Sequence, residues 1–214
     1  KEPEKFMTTT QFYLQPVSLQ QAQQIYEQHM MRDFPPAELK PFAMIRQGMQ
    51  QGSYDFLALY RADDTLMGYA VLVAEPGQPA ALLDYYAVLP QTRGGGVGAA
   101  GLQLLRQYYA PQKDSILIES EYPPEAPDPA LAERRLGFYT RGGARKTSIA
   151  ERLFGVRYTI FSLDCSAQGS ARSESELEQA LQGIYRRMIP GTVCAQAVQF
   201  GAEAIPYRPA VEWG

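Results

Sequence analysis

The residues Arg93-Gly94-Gly95-Gly96-Val97-Gly98-Ala99 stand between an apolar run, Ala81 to Leu89, and a stretch of helical composition, Ala100 to Tyr109. Glycines without side chains let backbone N–H groups turn inward onto an anion, and a helix that starts there adds the positive end of its dipole. The pattern is that of a cradle for a phosphate or pyrophosphate. Glu119 and Glu121 are the nearest acids with a pattern of their own. They alternate along a strand-like segment and therefore share a face, where paired carboxylates raise one another's proton affinity, as a general base requires. The loop also satisfies G-x-G-x-x-G through Gly96-Val97-Gly98-Ala99-Ala100-Gly101, with Glu119 downstream where a dinucleotide fold places its ribose-binding acid. Against a dinucleotide, Leu89-Pro90-Gln91-Thr92-Arg93 separates strand from glycines, and the segments before them read as hairpins rather than βαβ units. No Gly-Lys-Ser or Gly-Lys-Thr follows, which excludes a P-loop.

The elements that must hold these residues follow from periodicity. Ser18 precedes Leu19 to Met31, whose apolar residues recur at helical spacing; Pro35-Pro36 interrupts, and a second helix is predicted from Ala37 to about Gln50. These helices and the Phe34-Pro35-Pro36 turn are placed as a wall over a substrate site. Strands are predicted at Tyr54 to Tyr60, Leu66 to Ala74 and Ala81 to Val88, with turns at Asp63-Asp64 and Pro76-Gly77, forming an antiparallel meander. A helix from Gly98 to Tyr109 follows, then a strand from Ser115 to Glu121, a proline-rich loop, a helix from Ala130 to about Tyr139, and strands near Arg145 to Ala150 and Tyr158 to Leu163. A short first strand at Phe12 to Leu14 completes the order. Beyond a polar linker from Gln168 to Ser175, Leu177, Ala180, Leu181, Ile184, Tyr185 and Met188 mark an amphipathic helix ending at Pro190. Its apolar face packs on the same chain or forms a homodimer contact, as does the tail with Tyr207 and Trp213.

The 214 residues carry a net charge of −3 with 45% hydrophobic and 20% charged residues, the balance of a globular protein with a sizeable core. The acidic balance argues against nucleic acid as a partner, because binding it needs clustered Lys and Arg. No apolar run reaches the roughly 20 residues of a membrane helix, and the first residues lack the apolar core of a signal peptide, so a cytoplasmic location without membrane partners is expected. Cys165 and Cys194 have no accompanying His or Cys cluster, so no metal site is expected and both read as reduced thiols. His29, the single histidine, reads as a surface residue.

The spacing Arg93-x-x-Gly96-x-Gly98, preceded by Ala87-Val88-Leu89-Pro90, resembles the acetyl-CoA-binding motif of the GNAT superfamily of N-acetyltransferases. The element order over about residues 11–164 matches that fold, and Leu136-Gly137-Phe138-Tyr139 followed by Gly143 resembles its second motif. Ala144 replaces the aromatic usual there, and Gly142 is an addition. The resemblance implies an α+β fold, a mostly antiparallel twisted sheet of about six to seven strands flanked by helices, as one domain over 11–164, with 165–214 as an extension. It also implies acetyl-CoA as co-substrate. By position, Arg93, Gly94, Gly95, Gly96, Val97, Gly98 and Ala99 hold the pyrophosphate. The backbone of Tyr86, Ala87 and Val88 pairs with the pantetheine amides, and a backbone N–H near Val88 reaches the thioester oxygen. Phe138 and Tyr139 lie by the cofactor, with Tyr139 as the acid that protonates the departing thiolate.

Direct attack by an amine also needs a base. Asp84 occupies the place where many relatives carry a glutamate; Glu119 and Glu121 are the alternatives, and all three also read as groups that merely attract a cation. Glu119, Glu121, Glu125 and Asp128 make an acidic rim, and Tyr85, Tyr86 and Tyr122 add aromatic surface, which together suit a cationic primary amine, small molecule or peptide, as acceptor. Two other readings stay open: a catalytically silent acyl-CoA-binding module, and a dinucleotide-binding oxidoreductase domain.

Overall fold

Ser18 opens the first helix by accepting the N–H of Gln21 while the Gln21 side chain accepts the N–H of Ser18, a reciprocal cap. This is a computed structural model, and it describes residues 6, 7, 11–165, 172–189 and 191–201. The chain forms two compact units, Lys1–Gly77 with Leu83–Pro111 and Gln78–Leu82 with Gln112–Gly214.

In the first unit, β1 (Phe6–Met7), β2 (Phe12–Pro16), β3 (Tyr54–Arg61) and β4 (Leu66–Val73) pair antiparallel in sequence order. Strand β5 (Ala80–Val88) supplies its C-terminal half to this unit. Nearly every residue of β4 is buried, which marks a strand covered on both faces. Helix α1 (Leu19–Ile25) continues through a π-helical turn, Tyr26–Met30, into the short α2 (Met31–Asp33). Helix α3 (Phe42–Gln51) starts later than the expected Ala37. The reason is local: Lys40 precedes Pro41, which disfavours helical backbone before it, and the Lys40 N–H is taken by the Tyr85 hydroxyl at 2.9 Å. Helix α4 (Val97–Tyr109) follows the glycines and buries Val97, Leu102, Leu104, Leu105 and Tyr109.

In the second unit, β6 (Ser115–Glu121), β7 (Arg145–Leu153), β8 (Val156–Asp164) and β9 (Val198–Phe200) pair antiparallel in the order β6-β8-β7-β9. Phe154 and Gly155, both at positive φ, form the tight turn between β7 and β8, which lets these strands run longer than expected. Helix α5 (Pro129–Arg141) is capped by Asp128, which accepts the Leu131 N–H at 2.9 Å. Helix α6 (Glu174–Met188) buries Leu177, Ala180, Leu181, Ile184 and Tyr185 within this one chain, and α7 (Gly191–Ala197) leads into β9. The α+β class is as expected; the described residues form nine strands rather than six or seven, the additions being β1 and β9. Residues 168–171 of the linker, Tyr207 and Trp213 lie outside the described residues, and the linker's last residues, Glu174 and Ser175, already belong to α6.

Candidate functional site

The glycine loop is built by backbone geometry. A 3-10 turn, Pro90–Thr92, ends β5's exit, pinned where the Thr92 hydroxyl donates to the Met67 and Leu89 carbonyls. Gly94, Gly95 and Gly96 then follow with φ of +93°, +56° and +77°. Three successive left-handed residues are costly for any side chain, and such turns are of the kind in which neighbouring N–H groups converge on an anion. A Cβ at any of the three would meet nothing within 4 Å, so these glycines are required by conformation and not by crowding. Gly96 is the N-cap of α4, and no side chain caps the helix; the Val97 N–H donates to the Gly94 carbonyl at 3.4 Å, and the Gly98 and Ala99 N–H groups behind it stand at the positive end of the helix dipole. Arg93 is exposed beside them, its Nε donating to the Val88 carbonyl at 3.3 Å. The loop thus fits a pyrophosphate.

Two further glycines act through contact. A Cβ on Gly68 would lie 2.4 Å from the Ala87 carbonyl oxygen, and one on Gly101 2.2 Å from the Tyr86 hydroxyl. Gly68 therefore admits β5's end, and Gly101 lets α4 lie over Tyr86, whose hydroxyl donates to the Gly98 carbonyl at 2.6 Å. Tyr86, Ala87 and Val88 are half-buried.

Asp84 lies on β5 just before this stretch, but its carboxylate is engaged. Lys40 Nζ reaches both its oxygens, at 2.5 and 2.7 Å. Sequence reasoning did not find Lys40, because nothing in Leu39-Lys40-Pro41 marks a buried lysine. Tyr85 fixes the same segment: its hydroxyl donates to the Glu38 carbonyl at 2.8 Å, and its ring lies 5.2 Å from Lys40 Nζ. Burial, then the Asp84 charge, push the Tyr85 phenol far up.

In the second unit, Tyr139 on α5 keeps a partly exposed ring while its surroundings bury the hydroxyl. Burial pushes its pKa up to about 12, against a smaller lowering by Arg135, so the phenol holds its proton throughout the neutral range. Its ring contacts Phe138 at 5.2 Å and Phe161 at 6.0 Å between centroids. Phe161 stands opposite Ile118 on β6, so Tyr139 packs on the face opposite to that of the adjacent Glu119.

The acidic rim is largely committed to internal work, against expectation. Glu121 pairs with Arg135 at 3.0 Å, Glu125 with Arg152 at 2.7 Å and Arg157 at 3.3 Å, and Asp128 caps α5. The Tyr122 ring is covered by the Arg157 guanidinium, 4.1 Å from its centroid. Glu119, half-buried, lies within hydrogen-bonding reach of Glu151, a fully buried acid that sequence reasoning missed. A charged pair, Glu151-Arg152, inside an otherwise apolar strand segment was the available signal. Among the described residues no group of three or more metal-ligating side chains exists, both described cysteines are free thiols, and no helix is long and apolar enough to cross a membrane.

Residues 19–138 match the acetyltransferase (GNAT) family. No curated protein sequence matches the chain. Among solved structures, a putative GNAT-family acetyltransferase from Bacteroides thetaiotaomicron superposes with a TM-score of 0.64 at 20% identity, covering 80% of this chain and 95% of its own. Spermidine N-acetyltransferase from Vibrio cholerae, in complex with CoA and spermine, gives 0.56 at 11% identity over 73% of this chain and 96% of its own. The ribosomal-protein alpha-N-acetyltransferase RimL, in complex with coenzyme A, gives 0.57 at 12% over 77% and 100%. These likenesses establish a shared fold.

Proposed function

Because the chain belongs to the acetyltransferase (GNAT) family, we propose that it transfers an acetyl group from acetyl-CoA to a primary amine by direct attack. The observation that carries this reading is the run of three left-handed glycines entering an uncapped helix N-terminus. The co-substrate supplies the activated acyl group as a thioester. The N–H groups of Gly94, Gly95, Gly96, Gly98 and Ala99 and the exposed Arg93 bind its pyrophosphate, and the backbone of Tyr86 to Val88 pairs with the pantetheine arm as an added strand would. The Val88 N–H donates to the thioester oxygen and stabilises the oxyanion as it develops. Phe138 and Tyr139 line the cofactor, and the Tyr139 phenol, protonated at neutral pH, donates to the leaving sulfur.

Glu119 takes the proton of the attacking amine. Asp84 can do so only after Lys40 gives it up, and its burial with Lys40 suits a structural role instead. The acceptor belongs to the primary amines, small molecule or peptide; the named neighbours act on spermidine and on a ribosomal protein. Since most of the acidic rim is internally paired, selection of a cation rests on Glu119 and not on a general negative field. The dinucleotide reading yields to family membership. The silent-module reading draws on the capture of Asp84, and predicts CoA binding without turnover. Free-thiol release from acetyl-CoA across a panel of polyamines and peptide N-termini tests the proposal. Release that depends on both acceptor and Tyr139 supports it, and CoA binding without release by any acceptor favours the silent module.

A further inference from the structure

Glu151 stands on β7 opposite Tyr158 of β8, and Tyr158 stands opposite Glu121 of β6. Directly opposed residues share a face, as do residues two apart on one strand, so Glu119, Glu121, Tyr158 and Glu151 project from one side. Phe200 of β9 opposes Glu151, and α6 covers this same side. The Tyr185 hydroxyl of α6 donates to Glu151 Oε1 at 2.5 Å, and the Tyr185 ring lies 6.1 Å from that of Phe200. Glu151 and Tyr185 are both fully buried.

Among the described residues no N–H or O–H reaches Glu151 Oε2. The Glu119 carboxyl lies against Glu151 in hydrogen-bonding contact. Two carboxylates repel at such a contact, whereas a carboxylic acid and a carboxylate attract. Oε1 already accepts from Tyr185, so the proton belongs on Oε2, directed at Glu119. Burial, followed by the Glu119 charge, pushes the Glu151 carboxyl well above the usual carboxylate range, in agreement with that placement. Among the described residues, Glu121 on the same face is paired with Arg135, Tyr158 stands between Glu121 and Glu151, and β9 places Phe200 opposite Glu151.

The geometry points to Glu151 as a proton-carrying positioning residue for Glu119, held in place by Tyr185, so that helix α6 takes part in the chemistry of the site. This rests on the assignment of Glu119 as the base. Through Oε2 the protonated Glu151 donates to the Glu119 carboxylate and fixes its orientation as it accepts the proton of the amine. When Glu151 ionises, the two carboxylates repel and Glu119 loses its orientation.

Two measurements on the full chain test this. The first needs no substrate. A carboxyl whose folded pKa is raised contributes stability that is fully present below the unfolded pKa and is lost as pH rises through the folded value. Glu151→Gln keeps a donor toward Glu119 and an acceptor for Tyr185 but has no proton to lose. Melting temperatures of the two proteins should therefore diverge in favour of Glu151→Gln as pH rises above the ordinary carboxylate range toward the raised value of Glu151. A gap that does not change with pH overturns the shared proton. The second follows CoA release from acetyl-CoA with spermidine as probe acceptor. Glu151→Leu should lower kcat at least about tenfold with an unchanged KM for acetyl-CoA. Glu151→Gln should restore most of that loss, and Tyr185→Phe should lower kcat in the same sense. Wild type should fall at alkaline pH relative to Glu151→Gln. Superimposable pH profiles, or Glu151→Gln no better than Glu151→Leu, overturn the positioning role. No CoA release by wild type with any acceptor overturns the acetyl-transfer reading and with it the use of the pair in catalysis, while the melts decide the shared proton independently.

Discussion

The ammonium of Lys40 sits between the two carboxylate oxygens of Asp84, with only 4% and 7% of the two side chains exposed. This ion pair ties the segment before α3 to β5, immediately upstream of the strand end assigned to the pantetheine arm. A buried pair of this kind contributes little relative to a well-packed apolar replacement, but loss of either partner leaves an uncompensated charge. Lys40→Met should destabilise the protein by about 3–5 kcal/mol, and Asp84→Asn by a comparable amount. The double variant Lys40→Met/Asp84→Asn should recover a large part of either loss. Urea denaturation of the three proteins checks this, and additive losses would show that the two groups do not compensate one another.

The glycines divide into two mechanisms that stability and binding measurements separate. Gly95→Ala meets open space but must hold a left-handed backbone, at a cost of roughly 1–2 kcal/mol, and it crowds the anion surface. It should weaken CoA binding while leaving the protein folded. Gly101→Ala collides with the Tyr86 hydroxyl and should destabilise the protein more, and Tyr86→Phe in the same chain should recover part of that loss. Calorimetric titration with CoA beside thermal melts distinguishes the two classes.

Much of this was legible in sequence, and the misses have physical causes. The glycine turn, α4 and β6 declared themselves by glycine placement and apolar periodicity, which are local properties. The start of α3 was misplaced because Ala37 to Lys40 suits a helix until the tertiary bond from Lys40 to Tyr85 intervenes. The acidic rim was misread because Glu121, Glu125 and Asp128 look available until Arg135, Arg152, Arg157 and the α5 N-terminus are brought to them. Lys40 carried no mark for the same reason, and Glu151 only its place beside Arg152 inside an apolar segment. A buried charge is recognised by its partner, and each partner is distant in sequence.

Tyr139→Phe should lower kcat by about 10²–10⁴ while leaving CoA affinity nearly unchanged, because only the proton donor is removed. Since burial holds the phenol to about pH 12, the acid form persists across the working range, and no alkaline loss of kcat below that value should come from this residue. Steady-state kinetics of both proteins across pH provide the check. Equal kcat values would remove Tyr139 from the acid role.

The apolar face of α6 is buried within the chain, with Leu181 and Ile184 fully covered. Leu181→Ala should therefore cost about 2–5 kcal/mol, the range for emptying a core leucine site. Chemical denaturation reads the loss directly. A change below 1 kcal/mol would mean that this helix does not contribute to the cooperative core.

In the proposed function, the glycine loop and the helix N-terminus behind it bind the pyrophosphate of acetyl-CoA. The most direct measurement compares the melting temperature of the purified protein with acetyl-CoA, CoA, NAD or NADP, and repeats it on Gly96→Val. A ligand at ~100 times its Kd stabilises the folded state by roughly 2.7 kcal/mol, well within reach of the measurement. The account predicts a rise with acetyl-CoA and CoA that Gly96→Val abolishes. Stabilisation by NAD or NADP without CoA, or a CoA effect that survives Gly96→Val, would contradict it.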